Sequence, residues 1–170
     1  MRNVESKFRY SDHEAVLHRA VDAGARDEGL LQKRDQFYVV PQGRLKLRTF
    51  GDERGELIAY DREDVARARV SDYSIYTTGD PLSLAELLGR ALPRAGSVEK
   101  RRHLLILRHT RIHLDDVVGL GRFVELETVA DGITEGEPEE EHTNVVGLLD
   151  LVDAARIDVA YVDLMTSDQR

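Results

Sequence analysis

The sequence alternates charged and apolar residues along several short segments. From Asn3 to Arg9, every second residue is polar or charged, and Val4 and Phe8 lie between them. The pattern recurs in Arg44-Leu45-Lys46-Leu47-Arg48 and in Val124-Glu125-Leu126-Glu127. Because successive side chains of a strand point to opposite faces, each segment presents a row of charges on one face only. One such strand is ordinary, but several, with acidic and basic rows in separate segments, predict a barrel with a polar interior.

The other local signals are those of an antiparallel α+β domain. Capping-box patterns at Ser11-Asp12-His13-Glu14 and at Ser83-Leu84-Ala85-Glu86 predict two helix starts, and Pro138 followed by acidic residues predicts a third. Roughly eight strands joined mostly by short turns predict a barrel with the helices packed outside. The predicted strands are residues 2–10, 35–40, 44–50, 56–62, 69–77, 97–107, 109–115 and 122–129, with a last one at 158–165.

Composition narrows the class of protein. A length of 170 residues with 41% hydrophobic content is most simply one domain, 1–170, with a real core. The net charge of −8 argues against a general nucleic-acid binder. The absence of cysteine excludes thiolate chemistry. No apolar segment reaches the roughly 18 residues of a membrane helix, so we expect a soluble, cytoplasmic protein with no membrane partner.

Four acidic residues are candidate ligands or catalytic groups: Glu5, Asp115, Glu125 and Glu127. Alternation puts Glu125 and Glu127 on the same strand face, about 7 Å apart. Hard divalent ions such as Mg²⁺ prefer oxygen ligands and often need only one or two carboxylates plus substrate phosphates. The alternative is that this pair points to solvent.

The basic candidates also follow strand alternation. Lys100 and Arg102 lie two residues apart and therefore share a face. Arginine presents a planar fork to phosphate oxygens and lysine adds a compact charge, so converging rows suit a polyphosphate. Taken singly, each cation is better explained by a surface salt bridge, and only the alternation of several of them on strand faces favours a binding site. The set comprises Lys7, Arg9, Arg44, Lys46, Arg48, Arg62, Lys100, Arg102, Arg108 and Arg111.

Other catalytic patterns are weak or missing. The six histidines show no paired metal spacing, and His109 and His113 are expected to lie far apart on one strand face. We therefore expect no histidine metal site. The sequence contains neither a G-x-S-x-G motif nor a P-loop.

Several segments, in order along nearly the whole chain, resemble the CYTH or triphosphate tunnel metalloenzyme superfamily. Asn3-Val4-Glu5-Ser6-Lys7 is similar to its N-terminal E-x-E-x-K signature, and Lys100-Arg101-Arg102 to its K-x-R strand. The longest match runs from Arg111 to Glu127. The segments Gly43 to Arg48 and Tyr60-Asp61-Arg62 look closest to the class IV adenylyl cyclase-like branch.

The resemblance implies a closed eight-stranded antiparallel tunnel with Mg²⁺ or Mn²⁺ as cofactor. It implies that Glu5, Glu125 and Glu127 hold the metal. It also implies a triphosphate clamp of Lys7, Lys46, Arg48, Lys100, Arg102 and Arg111. The catalytic positions that it suggests are Lys7, Arg62 and Asp115. One departure is Asn3, which replaces the first signature glutamate and removes a charge.

Three functions remain open at this stage. The leading hypothesis is a class IV adenylyl cyclase-like conversion of ATP to cyclic AMP and pyrophosphate. The second is hydrolysis of inorganic triphosphate or of an organic triphosphate such as thiamine triphosphate. The third is non-catalytic binding of a nucleotide or polyphosphate. In each case the expected partner is a small triphosphate, and apolar residues on the outer helices leave a homodimer open.

Overall fold

The computed structural model describes residues 2–51, 53–61, 69–130, 132 and 136–167. They form an α+β structure with one antiparallel sheet. The strands are β1 (Arg2–Arg9), β2 (Arg26–Tyr38), β3 (Arg44–Thr49), β4 (Gly55–Asp61), β5 (Arg69–Thr78), β6 (Arg94–Leu107), β7 (Thr110–Val117), β8 (Gly121–Val129) and β9 (Ala155–Arg156). The helices are α1 (His13–Asp22), α2 (Pro81–Ala91), α3 (Glu137–Leu148) and α4 (Tyr161–Ser167). Among the described residues, none of the helices has the length and apolar character needed to span a bilayer.

The sheet closes on itself through β1. The strand order is β5-β4-β3-β2-β6-β7-β8-β1-β9, and β5 pairs with β1 as well. The β1 strand therefore has Val4 opposite Val70 of β5 and Lys7 opposite Glu125 of β8. The predicted closed eight-stranded antiparallel barrel is confirmed, and the two-residue β9 is added beside the end of β1.

The main hydrophobic core lies outside the barrel wall, under α1 and α3. The residues that alternate with the charged rows point outward into this core and are almost fully buried, as Val124 and Leu126 of β8 show. On the helices, Val16 and Val145 complete the contact. Burying one such side chain contributes roughly 1.5–3 kcal/mol. The apolar half of each alternating strand is therefore used for the core, and its charged half is left facing inward.

The caps of the first two helices differ from the predicted ones: the α1 cap lies one residue later in the chain, and the α2 cap lies three residues earlier. At α1 the cap is Asp12, not Ser11, and its carboxylate accepts a hydrogen bond from the Ala15 amide at 3.0 Å. At α2 the cap is Asp80, which accepts from Ser83 at 3.0 Å, with proline in the first turn. A carboxylate is favoured by the helix dipole, which explains why both starts shift to an aspartate.

The predicted strand at 158–165 is wrong, because the chain forms the helix α4 there. The carboxylate of Asp163 accepts from the Ala160 amide at 3.2 Å, which is one half of a capping box. The first turn buries Tyr161 and Val162 in a second, smaller hydrophobic cluster, which also contains Phe37, Val98 and Phe123. Tertiary packing here outweighs the strand preference of the valine and tyrosine residues.

Candidate active site

The barrel encloses a cavity of about 350 Å³ to which all eight strands contribute. This volume lies in the range of small-molecule sites. Seven of its lining side chains are cationic and five are carboxylates. The charged rows of distant segments thus converge in one enclosed space. The lining comprises Asn3, Glu5, Lys7, Lys33, Asp35, Phe37, Lys46, Arg48, Glu56, Ile58, Tyr60, Tyr73, Ile75, Val98, Lys100, Arg102, Leu104, Arg111, His113, Glu125, Glu127, Ala160 and Tyr161.

Nine of the eleven predicted site residues line this cavity. They are Glu5, Lys7, Lys46, Arg48, Lys100, Arg102, Arg111, Glu125 and Glu127. Asp115 does not line it but lies behind the wall, and Arg62 falls outside the described residues. Among the other basic candidates, Arg44 pairs instead with Asp163, with 2.9 Å between Nη2 and Oδ2.

The acidic side of the cavity is formed by β1, β7 and β8. Strand register places Glu125 between Lys7 of β1 and His113 of β7, and places Glu127 between Glu5 and Arg111. The Lys7 ammonium is 3.6 Å from Glu125, and an Arg111 nitrogen is 3.5 Å from Glu127. Burial by itself would raise the pKa of Glu125, but Lys7 and Arg102 hold that pKa well below its ordinary value.

Two buried polar atoms on this side have no hydrogen-bond partner within the described part of the chain: Nδ1 of His113 and Oδ1 of Asn3. Nδ1 of His113 lies 3.7 Å from one oxygen of Glu125 and 3.7 Å from one oxygen of Glu127. One ligand atom from each of these three residues lies within 4.8 Å of the others. An unsatisfied imidazole nitrogen beside two carboxylates is what a divalent ion would complete, so His113, Glu125 and Glu127 fit the metal that the resemblance implies.

A first cation cluster surrounds Asp35 on β2 and β3. Asp35 lies directly opposite Arg48 in the strand register. Its carboxylate accepts from Arg48 at 2.8 and 3.0 Å and from the Lys46 ammonium at 3.2 Å. Burial would raise the pKa of Asp35, but the two cations lower that pKa well below its usual range. The carboxylate is therefore ionised, and it holds both cations at the cavity wall.

A second cluster surrounds Asp115 on β6 and β7. Asp115 accepts from Lys100 at 3.0 Å, from Arg102 at 2.6 and 2.7 Å, and from the Tyr161 hydroxyl at 3.1 Å. Arg102 also donates to Glu125 at 2.8 Å, so this cluster is joined to the acidic side. Asp115 is fully buried and touches the cations from behind. It is therefore placed to position Lys100 and Arg102 rather than to contact a ligand.

Two lysines of the cavity have strongly lowered pKa values. Burial, reinforced by Arg102 and Arg48, lowers the pKa of Lys33 to about 7. Burial and Arg48 lower the pKa of Lys46 to about 8, although Asp35 partly opposes the shift. Both ammonium groups therefore lose charge close to neutral pH, and a bound anion would favour their charged form.

The wall formed by β4 and β5 is less charged than the rest of the cavity. Tyr60 lies opposite Tyr73 in the register, and Ile58 lies opposite Ile75. All four side chains line the cavity. The cavity thus joins a cationic and acidic half to a surface of aromatic and aliphatic groups.

Sequence reasoning missed several lining residues. Lys33 was missed because the predicted second strand starts at residue 35, whereas β2 begins at Arg26. Extending the alternation backwards from Phe37 and Asp35 would have found Lys33 on the inner face. His113 was set aside because only spacings between histidines were considered, and its neighbours are two glutamates of the next strand. Tyr161 was not selected, because its segment was interpreted as a strand, whereas it reaches the cavity from α4.

Comparison with known families identifies the family of the chain. A CYTH domain is matched over residues 1–158. The chain belongs to the CYTH domain family. No curated protein sequence matches the chain at a significant level.

Solved structures share the fold at low sequence identity. The PH1012 protein of Pyrococcus horikoshii OT3 is 21% identical, with a TM-score of 0.84 over 95% of this chain and 98% of that one. A candidate adenylate cyclase of Vibrio parahaemolyticus is 20% identical, with a TM-score of 0.76 over 96% and 97%. HpAC1 of Hippeastrum, a candidate adenylyl cyclase described as having a dominant triphosphatase activity, is 12% identical, with a TM-score of 0.70 over 98% and 95%. At these identities the likeness establishes the fold.

Proposed function

We propose that this CYTH protein is a divalent-metal-dependent enzyme that converts ATP to its cyclic monophosphate and pyrophosphate. The observation that carries the proposal is the convergence of carboxylates and cations inside one closed barrel. Such a cavity is complementary to a triphosphate and its metal ion. A solvated surface would not require these charges to be buried together.

The phosphate chain is bound by the two cation clusters and Lys7. Lys46 with Arg48 and Lys100 with Arg102 project from neighbouring parts of the wall, each pair already oriented by a carboxylate. Donors that are oriented before the ligand arrives stabilise charge on the phosphoryl oxygens at little cost of reorganisation. The family resemblance adds Arg62 as a further phosphate contact.

Lys7 is placed between the acidic side and the cations. Its ammonium lies 3.6 Å from Glu125, donates to the carbonyl of Val159 at 3.2 Å and lies over the Tyr161 ring at 4.1 Å. A phosphate group bound to the metal ion would lie between the acidic side and the cation clusters, within reach of the Lys7 ammonium. We assign to Lys7 the stabilisation of charge on the reacting phosphoryl group, and to Asp115 the positioning of Lys100 and Arg102.

Glu125 and Glu127, with Glu5 beside them, would hold the metal ion. When bound, such an ion supplies charge neutralisation at the phosphate oxygens and makes an attacking hydroxyl more acidic. The chain itself keeps Glu125 ionised, because Lys7 and Arg102 lower the pKa of this carboxyl despite its burial.

The aromatic and aliphatic wall favours a substrate with an organic part. Tyr60, Tyr73, Ile58 and Ile75 offer a surface for a nucleobase or a similar ring, and inorganic triphosphate has nothing to place there. In the proposed reaction the ribose 3′-oxygen attacks the α-phosphorus in line, and the bond to the pyrophosphate leaving group breaks.

Hydrolysis of a triphosphate is the second candidate. The same clamp would serve it, with water attacking the terminal phosphorus. It is favoured by one structural relative, HpAC1, for which a dominant triphosphatase activity is described.

A product analysis separates the candidates. Purified protein is incubated with Mg²⁺ or Mn²⁺ and with ATP, inorganic triphosphate or thiamine triphosphate, and the products are separated by chromatography. Cyclic AMP with pyrophosphate supports the cyclase, and orthophosphate supports the hydrolase. Tight binding without any product would overturn both enzymatic functions and favour a binding protein.

Glu125→Gln tests the acidic side directly. The substitution removes one charge from the metal-binding group and leaves the shape nearly unchanged, so we expect turnover to fall by about 10²-fold or more. Glu86→Gln, at an exposed position on α2, is the matched control and should retain wild-type turnover. Normal turnover in Glu125→Gln would remove Glu125 from the active site.

A further inference from the structure

Among the described residues that line the barrel cavity, His113 supplies the one imidazole. It lies on β7 directly opposite Glu125 of β8 and is almost fully buried. Its Nδ1 has no hydrogen-bond partner. A buried nitrogen without a partner is costly, so its retention needs an explanation.

The distances around Nδ1 suit an ion better than a direct contact. Nδ1 is 3.7 Å from an oxygen of Glu125 and 3.7 Å from an oxygen of Glu127, which is too far for a hydrogen bond. Two ligands of one ion, each about 2.1 Å from it, are separated by about 3 to 4 Å. The three side chains therefore surround a space of the size that a divalent ion needs.

The charges around this space also suit a nitrogen ligand. Arg102 donates to Glu125 at 2.8 Å, and the Lys7 ammonium lies 3.6 Å from the same carboxylate. A neutral imidazole adds a bond to the metal without adding a charge beside those cations.

We propose that Nδ1 of His113 binds the same divalent ion as Glu125 and Glu127, giving a mixed nitrogen and oxygen site. This inference rests on the proposed function, because it concerns the metal ion of that site. It predicts selectivity: imidazole binds transition ions such as Co²⁺ and Ni²⁺ far better than Mg²⁺, whereas carboxylates alone bind Mg²⁺ and Mn²⁺ well. The protein should therefore bind Co²⁺ more tightly than Mg²⁺ through His113.

The competing explanation is a structural histidine whose Nδ1 is satisfied by a bound water molecule. In that case the metal would be held by oxygen atoms only. The two explanations differ in one measurable property, a direct bond between the metal and a nitrogen of the protein.

Pulsed electron paramagnetic resonance of the Mn²⁺-loaded protein, without substrate, measures that bond. We expect a ¹⁴N coupling from a coordinated imidazole in the wild type. Calorimetric titration with Co²⁺ and with Mg²⁺ gives the selectivity. His113→Leu should lose the ¹⁴N coupling and bind Co²⁺ at least about tenfold more weakly, since even changes around a metal ligand cost that much.

His113→Gln is a second variant that replaces nitrogen by an amide oxygen, and it should keep Mg²⁺ binding while losing the preference for Co²⁺. His18→Leu, at an exposed position on α1, is the matched control and should behave as the wild type. Mn²⁺ bound to the wild type without ¹⁴N coupling would overturn the proposal. So would unchanged Co²⁺ affinity in His113→Gln, or no Mn²⁺ binding at millimolar concentration.

The outcome is independent of the proposed reaction. Triphosphate turnover without ¹⁴N coupling would reject the role of His113 and leave the enzymatic function standing. A ¹⁴N coupling without turnover of any triphosphate would reject the enzymatic function and leave His113 as a metal ligand.

Discussion

The Asp35 and Asp115 clusters contain the same groups in the same arrangement but in different surroundings. In each, an aspartate lies directly opposite an arginine of the neighbouring strand and also binds a lysine. Asp35 lines the cavity, and the side chains of its partners Lys46 and Arg48 are 15% and 14% exposed. Asp115 is fully buried, its partners are 4% and 3% exposed, and Tyr161 donates to it as well.

The difference in exposure indicates that the two aspartate clusters have different roles. Lys100 and Arg102 also line the cavity, but they are almost fully buried, and removal of Asp115 would leave Glu125 as the acidic partner of Arg102 alone. Because water has little access to these two cations, loss of their shared carboxylate should destabilise the wall. The Asp35 cluster faces the cavity, where a ligand phosphate can replace the carboxylate as partner of the cations. We infer that Asp115 mainly supports the barrel, whereas Asp35 mainly orients groups that bind the ligand.

The largest expected effect compares Asp115→Asn with Asp35→Asn. Asp115→Asn removes the carboxylate that Lys100 and Arg102 share, leaves Glu125 as the acidic partner of Arg102 alone, and should lower the free energy of unfolding by about 3–5 kcal/mol. Asp35→Asn should cost less than half as much, because water in the cavity can solvate Lys46 and Arg48. Urea unfolding measures both. Insolubility of Asp115→Asn alone would agree with this ranking, and an equal or greater loss in Asp35→Asn would break the comparison.

The next effect concerns pH. As pH rises from 7 to 9, Lys46 with a pKa of about 8 loses its proton, whereas Asp115 holds the pKa of Arg102 above its usual value and the guanidinium stays charged. Triphosphate affinity should therefore fall by about tenfold or more over this range, since the bound anion requires the protonated lysine. Lys33, with a pKa of about 7, loses its proton first, so the fall in affinity should already begin near pH 7.

Titration calorimetry with inorganic triphosphate from pH 6.5 to 9.5 checks this prediction. Lys46→Met should bind inorganic triphosphate more weakly than the wild type at pH 7, and its affinity should depend less on pH above pH 8. In Lys33→Met, the affinity should depend less on pH below pH 8. Comparison of each variant with the wild type removes the titration of the ligand itself. A wild-type profile that rises with pH would contradict the assigned protonation states.

The smallest effect tests the extra donor of the Asp115 cluster. Tyr161→Phe removes the hydroxyl that donates to Asp115 but keeps the ring over which Lys7 and Lys100 lie, at 4.1 and 4.9 Å. The free energy of unfolding should fall by about 1 kcal/mol. Tyr76→Phe, at an exposed position of β5, is the control and should change it little. No difference between the two variants would mean that Tyr161 adds nothing to the cluster.

Much of the barrel could be predicted because alternation is a local property. Side chains two residues apart share a face whatever the strand pairs with, so Glu5 with Lys7, and Glu125 with Glu127, could be assigned to one face each. Burial of the apolar face then sends the charged face inward. The helix α4 could not be predicted in this way, because its start depends on burial of Tyr161 against the barrel.

What the sequence determined by itself was most of the charged residues that face inward and the antiparallel barrel that such rows favour. Only the tertiary structure decided which of them are neighbours, because register joins residues far apart in the chain and is set by the packing of whole strands. The pairing of His113 with Glu125, and of Asp115 with Arg102, is of this kind. Alternation assigns a side chain to a face, and register between strands assigns it a partner.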